Sequence, residues 1–176
     1  MIEIKRIDEA HKADIKLPNE PFRLFGRFVP SYADGRWTYD VIRYAPEEIT
    51  EMRFPDEDYD YGAMRGSVFL GAYDGERCVG LAVLDQGLFR YMYLNDLKGN
   101  AAYRGQHIGT LLIDGARALA AEQGYRGLYT IGQDNNPGAC LFYLHSDFRI
   151  GGLDTEIYRH TKQEGKADIF FYCEAE

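Results

Sequence analysis

Between Tyr91 and Gly124 the apolar residues of the chain change their spacing, and that change restricts the folds open to it. YMYLNDLKG is short and dense in aromatic and aliphatic residues, as a strand is. Beyond YRGQHIG, residues Leu111, Leu112, Gly115, Ala118 and Leu119 space out as one face of a helix that ends near Gly124. The turn joining them, Tyr103 to Gly109, carries two glycines and opens straight into the helix. The first N–H groups of a helix lack internal partners and the helix dipole adds positive charge, so such a junction is suited to an anion.

The rest of the chain is read around that junction. MIEIKRI alternates Ile2 and Ile4 with charged residues and predicts an edge strand. FRLFGRFVPSYADGRWTYDVIRY predicts two strands around Ala33-Asp34-Gly35, and YAPEEITEMRF predicts a short helix. SVFLGAYDGERCVGLAVLDQ predicts a hairpin turning at Asp74-Gly75. After the helix come a buried strand, RGLYTIG, and a second helix, NNPGACLFYLH, opened by Asn-Asn-Pro. FRIGG and ADIFFYC supply closing strands. Strands first, then strand–helix–strand–helix–strand–strand, is an α+β order around a mixed central sheet flanked by helices. Its 176 residues suffice for one domain, expected to span residues 1–176.

Composition excludes several classes of function. A net charge of −8 argues against a nucleic-acid partner and leaves room for a cationic one. No apolar run reaches membrane-spanning length, and the start of the chain lacks the apolar core of a signal peptide, so no membrane partner and a cytoplasmic location are expected. Cys78, Cys140 and Cys173 form no CxxC pair, and with His11, His107, His145 and His160 they show no metal-ligand spacing, so no metal is expected.

Two motifs carry a family resemblance. YRGQHIGTLLI resembles the acyl-CoA pyrophosphate loop of the GNAT N-acetyltransferases, with Arg104 in the first place, Gly109 in the last, and His107 where the family has its middle glycine. Asn136-x-x-Ala139-x-x-Phe142-Tyr143, followed by Phe148, resembles the family's second helix, with Asp147 in the place of a glycine. Further segments (NEPFRLFGRFVP, PDEDYDY, YLNDLKGN, QDNNPGACLFY and LDTEIYR) resemble one branch, the streptothricin acetyltransferases, which acetylate an amine on the β-lysine arm of those antibiotics. Gly99 stands where relatives commonly have an apolar β-branched residue.

The resemblance implies a GNAT fold with acetyl-CoA as co-substrate, direct attack by the amine within a ternary complex, and a set of roles. The main chain of Arg104, Gly105, Gln106, His107, Ile108, Gly109 and Thr110 would cradle the pyrophosphate. A left-handed residue at position 107 is compatible with histidine, one of the types enriched there. Leu97, Lys98 and Gly99 would pair their main chain with the pantetheine arm, and an N–H near Leu97 would hold the oxyanion. Tyr143 would protonate the departing thiolate, with core packing as the alternative. Asn136 and Ala139 would face the pantetheine, and Asn136 is equally a helix cap.

Asp96 is the candidate base or ammonium anchor, with a water chain as the alternative. Asp56, Glu57, Asp58, Tyr59 and Asp60 read either as a solvated loop or as a substrate-binding rim for a cation. The resemblance also implies that Asp154, Glu156 and Tyr158 of LDTEIYR lie close to the site, with Asp154 and Tyr158 as candidate substrate-binding residues and a solvated turn as the alternative, favoured for Glu156. Cys140 admits an acetyl-cysteine intermediate, although a buried helix cysteine is more often a small hydrophobe. Three functions remain open: acetylation of a streptothricin, acetylation of another amine (a protein lysine, a polyamine or a small metabolite), and a non-catalytic CoA-binding module. A homodimer is compatible with each.

Overall fold

The computed structural model describes residues 1–175 and contains eleven strands and two α-helices. The strands are β1 (Ile2–Arg6), β2 (Phe22–Leu24), β3 (Gly26–Ala33), β4 (Arg36–Arg43), β5 (Thr50–Met52), β6 (Val68–Asp74), β7 (Arg77–Leu88), β8 (Tyr91–Gly99), β9 (Gly127–Gln133), β10 (Arg149–Asp154) and β11 (Asp168–Glu174). The helices are α1 (Ile108–Glu122) and α2 (Pro137–His145). Seven strands form a mixed sheet in the order β1-β6-β7-β8-β9-β11-β10, with separate two-stranded pairs β2-β5 and β3-β4. The chain divides into two compact units, the first holding residues 1–20, 53–129 and the end of β11, the second residues 21–52 and 130–173.

The first unit is built on β7, whose run from Val79 to Leu84 is buried throughout, as a strand covered on both faces must be. β1, β6, β7 and β8 pair antiparallel in succession, while β8 pairs parallel with β9 at Tyr91–Gly127, Met92–Leu128 and Tyr93–Tyr129. α1 covers one face. A Cβ on Gly80 would lie 2.5 Å from Ile108 Cγ2 and 3.1 Å from Leu112 Cδ1, so the missing side chain lets the helix settle on the sheet. On the other face Leu81 and Val83 pack with Ile7, Ile15, Phe69 and Tyr73.

The register between β7 and β8 places the polar residues. Ala82 faces Leu97, Val83 faces Asp96 and Leu81 faces Lys98, but Leu84 faces Leu94. Asn95 is therefore an extra residue, a β-bulge. It puts Asp96 and Lys98 on the face opposite α1, although strict alternation from Leu94 would have put them under the helix.

The second unit is organised around Asp134, directly after β9, whose carboxylate is only 4% exposed. It accepts from Arg27 Nε at 2.8 Å and from the Ala167 N–H at 3.1 Å. Its main chain also bonds Phe28 and Ala167, so β3, the end of β9 and the approach to β11 are tied at one point. Phe28 stacks on Tyr39 at 4.8 Å and meets Phe171 edge-on at 6.2 Å.

Several sequence expectations are corrected. YAPEEITEMRF forms only a 3-10 turn, Pro46–Glu48, and then strand β5, because Thr50–Met52 finds a partner in β2. An eight-residue 3-10 helix, Glu9–Lys16, capped by Asp8, had no periodic signal. The buried stripe of α1 is Ile108, Leu112, Ile113, Ala116, Leu119 and Ala120, with Ala118 exposed. Asp74 pairs with Arg77, so the hairpin turns at Gly75-Glu76.

Two of the departures from the family pattern lie in the left-handed region: His107 at φ 59 and Asp147 at φ 64. Asp147 follows the end of α2, where the Phe148 N–H reaches back to the Tyr143 carbonyl at 3.0 Å, the closure of a Schellman motif. A side chain costs free energy there that glycine avoids. Asp147→Gly should therefore stabilise the protein by about 0.5–1 kcal/mol, raising Tm by about 1–4 °C in calorimetry. Gly80→Ala should do the reverse, by about 1–3 kcal/mol, because the added methyl overpacks the contact of α1 with β7.

Candidate active site

The loop before α1 has the shape an anion site requires. Its stem is fixed on both sides: Asn100 Oδ1 accepts from Ala102 N, Glu20 Oε1 accepts from Ala101 N, and the Tyr103 hydroxyl donates to Asp74 at 2.9 Å. Gly105 at φ 79 and His107 at φ 59 then turn the main chain twice through left-handed geometry. His107 occupies the N-cap position, its side chain makes no capping bond, and the first turn holds no acidic residue. The helix begins its own bonding at Leu111, whose N–H meets the His107 carbonyl at 3.0 Å. The amides of Ile108, Gly109 and Thr110 precede it and have no acceptor within the helix. Gly99, at the end of β8, leaves room for a side chain: an added Cβ would lie 3.6 Å from the nearest atom of Ile108.

The bulge brings a second group together in the same unit. Lys98, whose side chain is 7% exposed, sets its ammonium 2.6 Å from Glu57 Oε2 and 3.2 Å from Asp96 Oδ2. The Asn19 Oδ1 atom lies 3.4 Å away and the Tyr59 ring centroid 5.4 Å. Tyr59 donates its hydroxyl to the same Asp96 oxygen at 3.0 Å. Burial pushes the Tyr59 phenol far above its ordinary range, and the Asp96 charge adds to this, so Tyr59 stays protonated and donates to Asp96.

The acidic run thus divides. Asp56 binds the Asn19 N–H at 2.7 Å and the Arg53 guanidinium at 3.1 Å. Asp58 is exposed, 3.8 Å from Lys16. Asp60 caps its own turn through the N–H groups of Gly62 and Ala63. Asn19 and the side chain of Lys98 were not singled out in the sequence: Asn19 stands 38 residues before Glu57, and Lys98 counted only through its main chain.

In the second unit, Asn136 caps α2, its Oδ1 accepting from Ala139 N at 3.2 Å. Tyr143 lies half-buried on that helix, 5.4 Å from Phe148 and 5.5 Å from Phe171 between ring centroids. Tyr158 donates to Asp168 at 2.7 Å and receives from Gln133 at 2.6 Å. Burial and the Asp168 contact push its phenol up to about 12. Asp154 caps a turn through the Glu156 and Ile157 amides. Burial holds the Cys140 thiol up at about 12, which keeps it protonated and unreactive, as a core residue is. Among the described residues no group of three or more His, Cys, Asp or Glu could hold a metal ion, and no helix is long and apolar enough to cross a membrane.

Burial alone would raise the Glu57 carboxyl, but the hydrogen bonds from Lys98 and Asn19 outweigh it and hold it below its ordinary 4.5. A depressed carboxyl contributes stability that is complete above its unfolded value and is lost as pH falls through the folded one. Glu57→Gln should therefore lower Tm above pH 4.5 and leave a flatter acid limb, the two curves drawing together only as pH falls below 4.5. Parallel Tm-against-pH curves would show that the pair carries no such linkage.

Comparison with known proteins identifies the family. Residues 35–148 match the Acetyltransferase (GNAT) family. Streptothricin acetyltransferase A of Bacillus subtilis (strain 168) is 30% identical over 169 residues, covering 96% of this chain and 98% of that protein. The crystal structure of a protein described as a streptothricin acetyltransferase of Bacillus anthracis str. Ames, in complex with acetyl coenzyme A, superposes with a TM-score of 0.85 at 23% identity, covering 99% of this chain and 98% of that one. Nourseothricin acetyltransferase follows at a TM-score of 0.79 and 20% identity, with 99% of each chain covered. With its mixed sheet, its left-handed turn into α1 and a family match over most of its length, the chain belongs to the GNAT family of acetyltransferases.

Proposed function

We propose that the protein transfers the acetyl group of acetyl-CoA to an amine on the β-lysine moiety of a streptothricin, by direct attack of the amine in a ternary complex. The observation that carries the cofactor reading is the doubly left-handed loop at Gly105 and His107, which opens α1 with no side-chain cap. The 30% identity to a streptothricin acetyltransferase over nearly the full length of both chains supports the substrate.

Each role rests on the group available. The main chain from Arg104 to Thr110 holds the pyrophosphate, whose charge is matched by the helix dipole and by the Ile108, Gly109 and Thr110 amides, which have no acceptor within the helix. Leu97, Lys98 and Gly99 pair their main chain with the pantetheine, and the Leu97 N–H receives the oxyanion. Asn136 and Ala139 face the pantetheine from the first turn of α2. Asp96 receives Lys98 and Tyr59 on Oδ2, which leaves Oδ1 to hold the incoming ammonium and pass its proton to water. The Tyr143 hydroxyl protonates the departing thiolate, and the second proton, lost by the acylated nitrogen, returns through water to the phenolate. Asp58 and Asp60 steer a cationic substrate at long range, and Asp154 and Tyr158 contact it.

Free-thiol release from acetyl-CoA tests this with streptothricin, spermidine and a lysine peptide in parallel. Turnover with streptothricin alone, cut about 100-fold or more in kcat by Tyr143→Phe, is the expected result. Turnover with another amine alone would keep the acetyl transfer and replace the substrate. CoA binding without turnover of any amine would overturn the catalytic reading.

A further inference from the structure

The group around Lys98 has the chemistry of an ammonium receptor, and it is occupied. Three acceptors surround Nζ: Glu57 Oε2 at 2.6 Å, Asp96 Oδ2 at 3.2 Å and Asn19 Oδ1 at 3.4 Å. They match the three hydrogens of an alkylammonium. The face of Tyr59, at 5.4 Å, adds the cation–π contact such ions favour. Each wall is itself held. Asn19 bonds Glu57 and the Pro55 carbonyl, and Tyr59 bonds Asp96 while packing on Phe69. Lys98 reaches this place only because the Asn95 bulge turns it away from α1.

We propose that Glu57, Asp96, Asn19 and Tyr59 form a binding site for a primary alkylammonium group that the chain fills with its own Lys98. Lys98 is thereby a specificity-determining residue, because it keeps the interior of this cage, Glu57 Oε2 and Asp96 Oδ2, from the ammonium groups of any cationic ligand and offsets one of the two carboxylate charges, leaving only Asp96 Oδ1 outside it. Glu57, on this assignment, leaves the substrate-binding set. The proposal does not depend on which amine the enzyme acetylates, since the receptor is defined by its occupant in the free protein.

Truncation of the occupant tests it. Lys98→Ala removes three methylenes and the ammonium, the atoms of n-propylammonium. The variant should melt about 5–10 °C below wild type, because two part-buried carboxylates lose their cation. n-Propylammonium chloride at about 100 mM should recover at least half of that loss in a saturable way, as a ligand of the folded state does. n-Propanol and sodium chloride at the same concentrations should recover none of it, and wild type should not respond. Should Lys98→Ala not fold unaided, the same additives are compared by refolding yield from denaturant, where only n-propylammonium should raise it. Equal effects of n-propylammonium, n-propanol and sodium chloride, or an equal response by wild type, would overturn the proposal. The thiol-release assay on wild type fails or succeeds independently of this result.

Discussion

One extra residue in β8 decides which chemistry the central sheet presents. A strand alternates its side chains between faces, so YMYLNDLKG without interruption would send Leu94, Asp96 and Lys98 to the same side. That side carries α1, where Gly80 and Ala72 leave only enough room for the helix to close on the sheet. Two charges there would be buried against Ile108 and Leu112. The bulge at Asn95 reverses the parity after Leu94, returns Leu97 to the α1 side opposite Ala82, and delivers Asp96 and Lys98 to the face where Tyr59 and Glu57 wait. Asn95 leaves the ladder and bonds Asp85 with its side chain. Bulges commonly re-aim a side chain in this way beside functional sites.

The same economy governs the departures from the family pattern. His107, Asp147 and Gly99 look in the sequence like three separate lesions in a cofactor site. In the structure, His107 and Asp147 adopt the left-handed conformation that glycine would have adopted, so the path of the main chain is kept at a local conformational cost. Gly99 is the opposite case: the backbone tolerates a larger residue, and only a side chain has been given up. None of the three removes a main-chain donor. That matters because anion binding at a helix start is performed by amides, which every residue except proline supplies.

Local pattern and chemistry therefore revealed the framework well. The period change at the Tyr103 loop, the Asn136 cap and the Pro137 start of α2, and the hairpins were legible, because each is written in neighbouring residues. What was illegible depends on partners far along the chain. Thr50–Met52 is a strand only because β2 pairs with it. Asp134 reads as one more polar residue in QDNN until Arg27, 107 positions earlier, and Ala167 close on it. The Asn95 bulge has no sequence mark at all, and with it the orientation of Lys98 was lost.

Electrostatics then separates the carboxylates that composition had grouped. A run of four acids beside two tyrosines suggests one negative rim, yet these side chains have unlike neighbours. Asp56 and Glu57 are neutralised within the fold by Arg53 and Lys98, and Asp60 is engaged by its own turn. The part-buried Glu57–Lys98 pair is screened little by salt, whereas Asp56 and Arg53 are each about half exposed and their pair weakens with ionic strength as surface pairs do. Asp58, exposed and 3.8 Å from the mobile end of a lysine, keeps most of its long-range influence but is weakened by ionic strength. The charges of this short segment are thus divided between Glu57, bound into the unit that carries Asp96, and Asp58, which faces solvent, so that either can change without dismantling the other.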